Sequence, residues 1–482
     1  MNLDRQGAGR RAEGRMRAIA IGGPAHEDDL DHLAHIVGWF SDPSQISHEA
    51  PAAPLLGRRA EAGAALGAQI ARLGAECVLW AAAPDDGVLA RAVLRQASEA
   101  GIPVYVVEPR GARMRPLTLD DLFAQSAPIV EDAGILAAAV AGRRVLITGG
   151  GGSIGGELAR RIAMLQPARL TIVDLSEFNV FTIQRDLAAT SAPYEAVLCD
   201  ITDADEVQAV FQRERPEIVF HAAALKHVPL VEKQPCRGVK VNILGTQIVA
   251  DACAAAGADL VFVSTDKAVQ PRGVMGATKR IAGLYCRARD IGSAPHGRRS
   301  IVVRLGNVLG SAGSVSQLFA QQIEAGEPIT ITDPRAERYF VTIRQAAEGL
   351  LRAAAVGLAP GATAGAAYTL EMGRPVRIVD LANDMLRLAG LRPCVDGRVK
   401  FVGLRPGEKL TEVLFAENET VGRTRSAGVH MATAPLPPLT VIEAQISALA
   451  ARARALDEDG VRRGLAEALL AAAQPLAQRL AV

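Results

Sequence analysis

Cysteine is scarce. Cys77, Cys199, Cys236, Cys253, Cys286 and Cys394 lie scattered along 482 positions, with no C-x-x-C pair and no cluster with histidine. That spacing excludes a disulfide frame and a zinc site, so no metal is expected, and it points to a reducing cytoplasm. An excess of one charge is also missing: 53 Lys and Arg face 52 Asp and Glu, for a net charge of +1. A general nucleic-acid binder, whose affinity comes from surplus positive charge, is thereby excluded. No apolar run reaches the ~18 residues that cross a bilayer. The opening MNLDRQGAGRRAEGRM lacks the apolar centre of a signal peptide, so a protein without a membrane span is expected. Aromatics make up only 4%, a compositional habit without functional meaning. The length exceeds one ordinary core, which sets an expectation of about two or three domains.

Against these absences stands one dense stretch, Arg143 to Ile162, RRVLITGGGGSIGGELARRI. Val145 to Ile147 has strand character, Thr148 to Gly152 is a glycine turn, and Leu158, Ile162 and Leu165 fall at helical spacing. The glycines follow T-G-x-x-G-x-x-G. Gly149 can turn the chain tightly, Gly152 leaves room for a pyrophosphate, and Gly155 lets helix pack close to strand. A helix N-terminus would then face the phosphates with free N–H groups. Strand LTIVD ends at Asp174, close to the offset of about 20 residues at which a carboxylate meets an adenosine ribose. No Arg stands at Leu175 or Ser176, so NAD is favoured over NADP.

The chain divides readily. Residues 1–15 read as a disordered tail. Residues 16–110 alternate strand and helix (RAIAIGG, a helix candidate at Asp28 to Ala34, HIVGWF, ECVLWAAA, a helix from Gly87 to Ala100, IPVYVV). They predict a small Rossmann-like α/β domain with a parallel sheet. Its Gly22-Gly23-Pro24 turn lacks the full fingerprint, and a structural or regulatory role is preferred. Residues 111–140 read as a linker and 431–482 as a C-terminal helical segment. Between them, 141–430 resumes the alternation through YEAVLCD, EIVFHAAALKHV, a helix from Asn242 to Ala256, DLVFVS and SIVVRLGNVLG. That order predicts an α/β, Rossmann-type doubly wound parallel sheet. A smaller substrate-binding lobe is expected in residues 311–430. Thr265-Asp266-Lys267 and Met275 to Lys279 follow a buried strand, the end of the sheet where ligands lie.

The stretches TGGGGSIG, HAAALKHVPLVE, NILGT, STDKAVQPRGVMGATKR, VRLGNVLGSAGSV, TITDPRAERYFVTI and GLRPGEKL occur in that order between Arg143 and Leu414. The core resembles extended short-chain dehydrogenase/reductases. Within them it looks like the nucleotide-sugar 4,6-dehydratases of capsule, O-antigen and glycan biosynthesis. The N-terminal unit resembles the domain preceding the core in the family's long members, which usually carry membrane helices; none is expected here.

The resemblance implies NAD as cofactor, a UDP-sugar as substrate and a homo-oligomer. It implies that Gly149, Gly152, Ser153, Ile154, Gly155, Asp174, Asp200, Ala222, Asn242, Ser264 and Lys279 line the cofactor. It makes Thr265, Asp266, Lys267, Lys279 and Met275 the catalytic positions, and Asn307, Arg338, Arg405 and Glu408 the substrate contacts. The superfamily's tyrosine is replaced by Met275, which cannot accept a proton. A similar subgroup has Met at that place and is active. Asp266 is then expected to take the C4 hydroxyl proton and to protonate the leaving hydroxyl. Lys267 is expected to take the C5 proton as a neutral amine, with Lys279 and arginines nearby. C5 should keep its configuration, as in long members with Met. His227 is read as structural. Two other readings stay open: a C4 or C5 epimerase, and a catalytically silent dinucleotide-binding regulator.

Overall fold

The computed structural model describes residues 15–22, 30, 33–42, 53–81, 86–108, 113–123, 133–393 and 398–473. The expected tail, most of the Asp28 to Ala34 helix candidate, Gly23-Pro24 and Cys394 lie outside them. The chain forms two compact units, one of residues 1–129, 319–330 and 379–400, the other of residues 130–318, 331–378 and 401–482.

In the first unit, β1 (Arg17–Ile21), β2 (His35–Phe40), β3 (Leu55–Gly57), β4 (Cys77–Trp80), β5 (Val104–Val107) and β6 (Met114–Pro116) form one sheet in the order β3-β2-β1-β4-β5-β6. All pairs are parallel except β5 with β6. The buried runs of β1, β2 and β4, with Trp39 and Trp80 enclosed, reflect the covering of both faces of a parallel sheet. Helices α1 (Ala62–Leu73) and α2 (Gly87–Glu99) pack on each other. Asp86 caps α2 by accepting the Val88 and Leu89 N–H groups at 2.9 and 3.2 Å, which satisfies two of the helix's orphan donors.

Within the expected linker at 111–140, the described residues 113–123 and 133–140 include strand and helix. Its first part adds β6, and Asp121 accepts a bidentate pair from Arg115 at 2.6 and 2.8 Å together with the Thr118 N–H and hydroxyl. The acidic LTLDD stretch therefore caps a turn. Burial alone would raise the Asp121 carboxyl, but these donors together hold it below the ordinary value.

The second unit is built on nine strands. In order they are Thr420–Arg423, Val429–Thr433, Ala367–Leu370, β12 (Ser300–Leu305), β11 (Asp259–Thr265), β10 (Ile218–His221), β7 (Arg144–Thr148), β8 (Arg169–Asp174) and β9 (Tyr194–Leu198). The strands from β9 through β12 to Ala367–Leu370 run parallel, Val429–Thr433 pairs antiparallel with Ala367–Leu370, and Thr420–Arg423 pairs antiparallel with Val429–Thr433. Taken from β9, the first six follow the 3-2-1-4-5-6 order of a dinucleotide-binding sheet, with its reversal between β7 and β10. The expected doubly wound architecture is present.

At that reversal His221 joins three elements. Its Nδ1 lies 2.6 Å from the Thr148 hydroxyl and its Nε2 2.9 Å from the Thr246 hydroxyl. Since Thr246 donates to the Asn242 carbonyl at 2.8 Å, Nε2 must be the protonated nitrogen and Thr148 the donor to Nδ1. Complete burial, and then the charge of Lys279, push the imidazole down to about 3, so it stays neutral under all ordinary conditions. His221→Phe strands the Thr148 hydroxyl and is expected to cost about 1–3 kcal/mol, read as a lower denaturation midpoint.

The C-terminal segment is integral to this unit. Helices α9 and α10 are numbered after α3 (Ser153–Met164), α4 (Glu177–Leu187), α5 (Ala204–Glu214), α6 (Thr246–Ala256), α7 (Val274–Ser293) and α8 (Ile343–Gly357). Ile442, Ile446 and Leu449 of α9 (Leu439–Arg454), and Val461 and Leu465 of α10 (Glu458–Ala473), share one apolar cluster with Ile281, Leu284 and Tyr285 of α7. Among the described residues, no helix is long and apolar enough to cross a membrane.

Candidate active site

The site begins with the glycine turn. Gly149 has φ +65°, and a Cβ there would lie 2.6 Å from the Ala223 nitrogen, so the turn needs glycine both for its backbone and for its approach to the chain after β10. A Cβ on Gly155 would collide with the Gly149 carbonyl, which explains why α3 can start so close to β7. Gly152 caps α3 in extended conformation, leaving the first N–H groups of the helix facing outward. Asp174 accepts the Gly151 N–H at 3.1 Å and the Ser176 N–H at 2.9 Å. The Ser153 hydroxyl accepts the Ala312 N–H at 3.0 Å, tying the turn to the loop after β12. Glycines without steric reserve, an open helix N-terminus and a strand-end carboxylate without a basic neighbour fit a dinucleotide bearing a free ribose 2′-hydroxyl.

Other expected cofactor contacts are placed differently. Asn242, fully buried in a π-helical stretch, Val239–Gly245, accepts the Leu225 N–H at 2.8 Å and donates to the Leu225 carbonyl and the Thr278 hydroxyl. With both ends of its amide taken, it fixes the loop after β10 against α7 and does not present a group to the cofactor. Asp200 accepts the Thr202 N–H at 2.8 Å and shapes its own turn. Ala222 donates its N–H to the Thr148 carbonyl at 3.0 Å, continuing the sheet beside the glycine turn. Ser264 is buried at the end of β11.

The polar centre lies just past Ser264, in the tight turn Asp266–Ala268. The Thr265 hydroxyl donates to Asp266 Oδ1 at 2.8 Å. Lys267 Nζ donates to the same oxygen at 3.0 Å and to Asn307 Oδ1 at 2.7 Å. Asp266 is wholly buried, and its Oδ2 has no hydrogen-bond partner. A buried carboxylate oxygen left unpaired is costly, and it is also a ready proton acceptor. Asn307 was expected at the diphosphate or sugar; its amide oxygen is used on the lysine.

Glu412, absent from the expected set, completes this centre. It is 3% exposed; its Oε1 stands 3.8 Å from Lys267 Nζ and its Oε2 3.2 Å from Lys409 Nζ, the latter an ion pair without hydrogen-bond alignment. Lys409 donates to the Val269 carbonyl at 2.8 Å, locking GLRPGEKLTE onto the residue that follows the Asp266–Ala268 turn. The only sequence signal was the i, i+3 spacing of Lys409 and Glu412, which any surface pair could share. The cations expected around Lys267 are not its partners: two carboxylates and an amide oxygen face its ammonium. Glu412→Gln preserves shape but removes a charge beside two lysines, and kcat is expected to fall about tenfold with KM little changed, measured by steady-state kinetics.

Arg338 was expected to fork onto a diphosphate. It is buried and donates to the Glu337, Lys409 and Leu410 carbonyls at 2.7, 2.7 and 2.8 Å, so it is a clamp for the segment bearing Glu412. Arg405 and Glu408 pair with each other, Nε to Oε1 at 2.8 Å. Met275 belongs to the apolar cluster of α7 and contributes no proton-carrying group. Gly276 beside it is required, because a Cβ there would strike the Lys267 carbonyl. Lys279 is 5% exposed with Nζ 4.0 Å from the centre of the Phe262 ring, and burial lowers it to about 7. His227 is the N-cap residue of a short helix, Val228–Lys233, without a side-chain capping bond, and its ring lies against Gly313.

The sheet order, the glycine turn at its reversal and the Thr265-Asp266-Lys267 turn facing α7 together define a short-chain dehydrogenase/reductase of the nucleotide-sugar dehydratase and epimerase kind. The chain belongs to the polysaccharide biosynthesis protein family, which matches residues 145–434. It is 38% identical over 310 residues to the capsular polysaccharide biosynthesis protein CapD of Staphylococcus aureus, covering 64% of this chain and 50% of that one. The chain thus spans about half the length of that relative. It is 30% identical over 282 residues to a UDP-N-acetylglucosamine 4,6-dehydratase (inverting) of Campylobacter jejuni, covering 58% of this chain and 79% of that one. Among solved structures, Pen from Bacillus thuringiensis is similar at 30% identity and a TM-score of 0.56, covering 62% of this chain and 89% of that one.

Proposed function

We propose that the protein dehydrates a UDP-N-acetylhexosamine, UDP-N-acetylglucosamine by preference, to the 4-keto-6-deoxy sugar nucleotide, for a surface polysaccharide or glycan. The observation that carries this reading is the buried Asp266 carboxylate, with one oxygen unpaired and the other shared by Thr265 and Lys267. NAD would be held by the turn of Gly149, Gly152 and Gly155 and by Asp174, and when bound it would supply a reversible hydride acceptor. Asp266 takes the C4 hydroxyl proton and later protonates the departing C6 hydroxyl. Lys267 removes the C5 proton. Before it can do so it must shed its own, and Glu412 Oε1 at 3.8 Å is the acceptor that leaves Asp266 free for the C4 proton. Asn307 holds the amine in place. The half-exposed Arg405 is the guanidinium proposed to meet the diphosphate.

Met275 supports dehydration over epimerisation and retention at C5 over inversion, since its thioether offers no proton from the opposite face. The Campylobacter relative is named as inverting; the proposal for this chain rests on Met275. Incubating purified protein with UDP-N-acetylglucosamine and following mass tests the reaction class. Loss of one water is expected, whereas an isomer of unchanged mass would indicate an epimerase. NAD released on denaturing the protein is expected in near-stoichiometric amount, because the hydride leaves and returns within one turnover; NADP in its place would overturn the Asp174 argument.

A further inference from the structure

Behind the catalytic turn, between α7 and the sheet, three arginines surround one carboxylate. Arg304 grips Glu419 with two bonds, Nη1 to Oε2 at 2.7 Å and Nη2 to Oε1 at 2.5 Å. Arg280 Nη1 and Arg287 Nη1 stand 3.8 and 3.9 Å from the same Oε1. Glu419 is completely buried, and Arg304 and Arg287 nearly so. Its oxygens are already used by Arg304 and by the Ala416 N–H at 2.9 Å. The other nearby acid, Asp290, is bound to Arg299 at 2.8 and 2.9 Å. Three guanidinium charges thus meet one carboxylate out of water, an imbalance that burial makes expensive.

Arg287 bears most of it. It is 1% exposed; its Nε donates to the Gly365 carbonyl at 2.7 Å, while Nη1 and Nη2 have no hydrogen-bond partner. Arg280 and Arg287, two helical turns apart, both border a cavity with Arg304, Lys279 and Ser264. The cavity has room for about one small, water-sized guest. A water cannot supply the missing negative charge.

We propose that this cavity is a binding site for a halide-sized monovalent anion, chloride, held by the unpaired nitrogens of Arg287 with Arg280 and Lys279 beside it. The anion offsets the buried positive charge and fastens α7 to the strand-end arginine, independently of the reaction assigned to the catalytic turn. Burial and the neighbouring arginines lower the Arg287 guanidinium to about 9, a shift that an anion beside it would oppose.

The full-length protein, exchanged into sodium gluconate and titrated with sodium chloride at constant ionic strength, should show a saturable rise in Tm of about 2–4 °C. Arg287→Met, which keeps bulk and removes the donors, should lose that rise. Crystals of the unmodified protein grown in sodium bromide should show an anomalous peak in the cavity at Arg287, a readout that does not depend on the variant folding. An absent bromide peak, or a Tm rise equal in both proteins, would overturn the proposal.

Discussion

Asp266→Asn is expected to lower turnover by about 10²- to 10⁴-fold, the usual worth of a positioned proton carrier, with substrate affinity little changed. The amide fits the same space and still accepts from Thr265 through Oδ1. What it loses is a basic oxygen at the buried, unpaired Oδ2 position and the charge opposite Lys267. Equilibrium binding of UDP-N-acetylglucosamine separates the two effects. Near-normal turnover by the variant would remove Asp266 from the acid–base role.

Lys267→Met should have a comparable effect, again about 10²- to 10⁴-fold, but at a different step. The thioether cannot remove a proton from C5, and Asn307 Oδ1 loses its 2.7 Å donor. Dehydrated product and uptake of solvent deuterium at C5 should fall together, while the sugar nucleotide still binds. Because Asn307 and Glu412 remain near the gap, a small alkylamine added to the assay, whose neutral form can accept the proton, offers a rescue that a merely collapsed site would refuse. Deuterium entering C5 at the normal rate would show that another group is the base.

The sheet was legible because its information is local: apolar runs from Val145, Leu170, Ile218, Leu260 and Ile301 alternate with amphipathic helices, and the glycine turn marks the point where strand order reverses. The turn Thr265-Asp266-Lys267 was legible for the same reason. What escaped depends on contacts far apart in the chain. Glu412 reaches Lys267 across a separation of more than a hundred positions, and Arg338 turns inward to two carbonyls of a segment some seventy residues later. Both side chains look like surface charges in a linear reading. Asn242 misled in another way: a π-helical turn directs its amide to Leu225 and Thr278. The acidic stretch after Val107 read as a linker because its charges suggested solvent, whereas Asp121 is consumed by Arg115 and Thr118.

One measurement meets the central claim directly. Purified protein is incubated with UDP-N-acetylglucosamine in deuterated water, and proton NMR spectra are recorded from the first turnovers, before spontaneous epimerisation at C5 can accumulate. The account predicts a 4-keto-6-deoxy sugar nucleotide carrying deuterium at C5, with ring couplings of the original configuration, because Lys267 removes and returns the proton on one face and Met275 offers none on the other. A first-formed product inverted at C5 would contradict the part given to Lys267, and an undehydrated C4 epimer would contradict the assignment of the reaction itself.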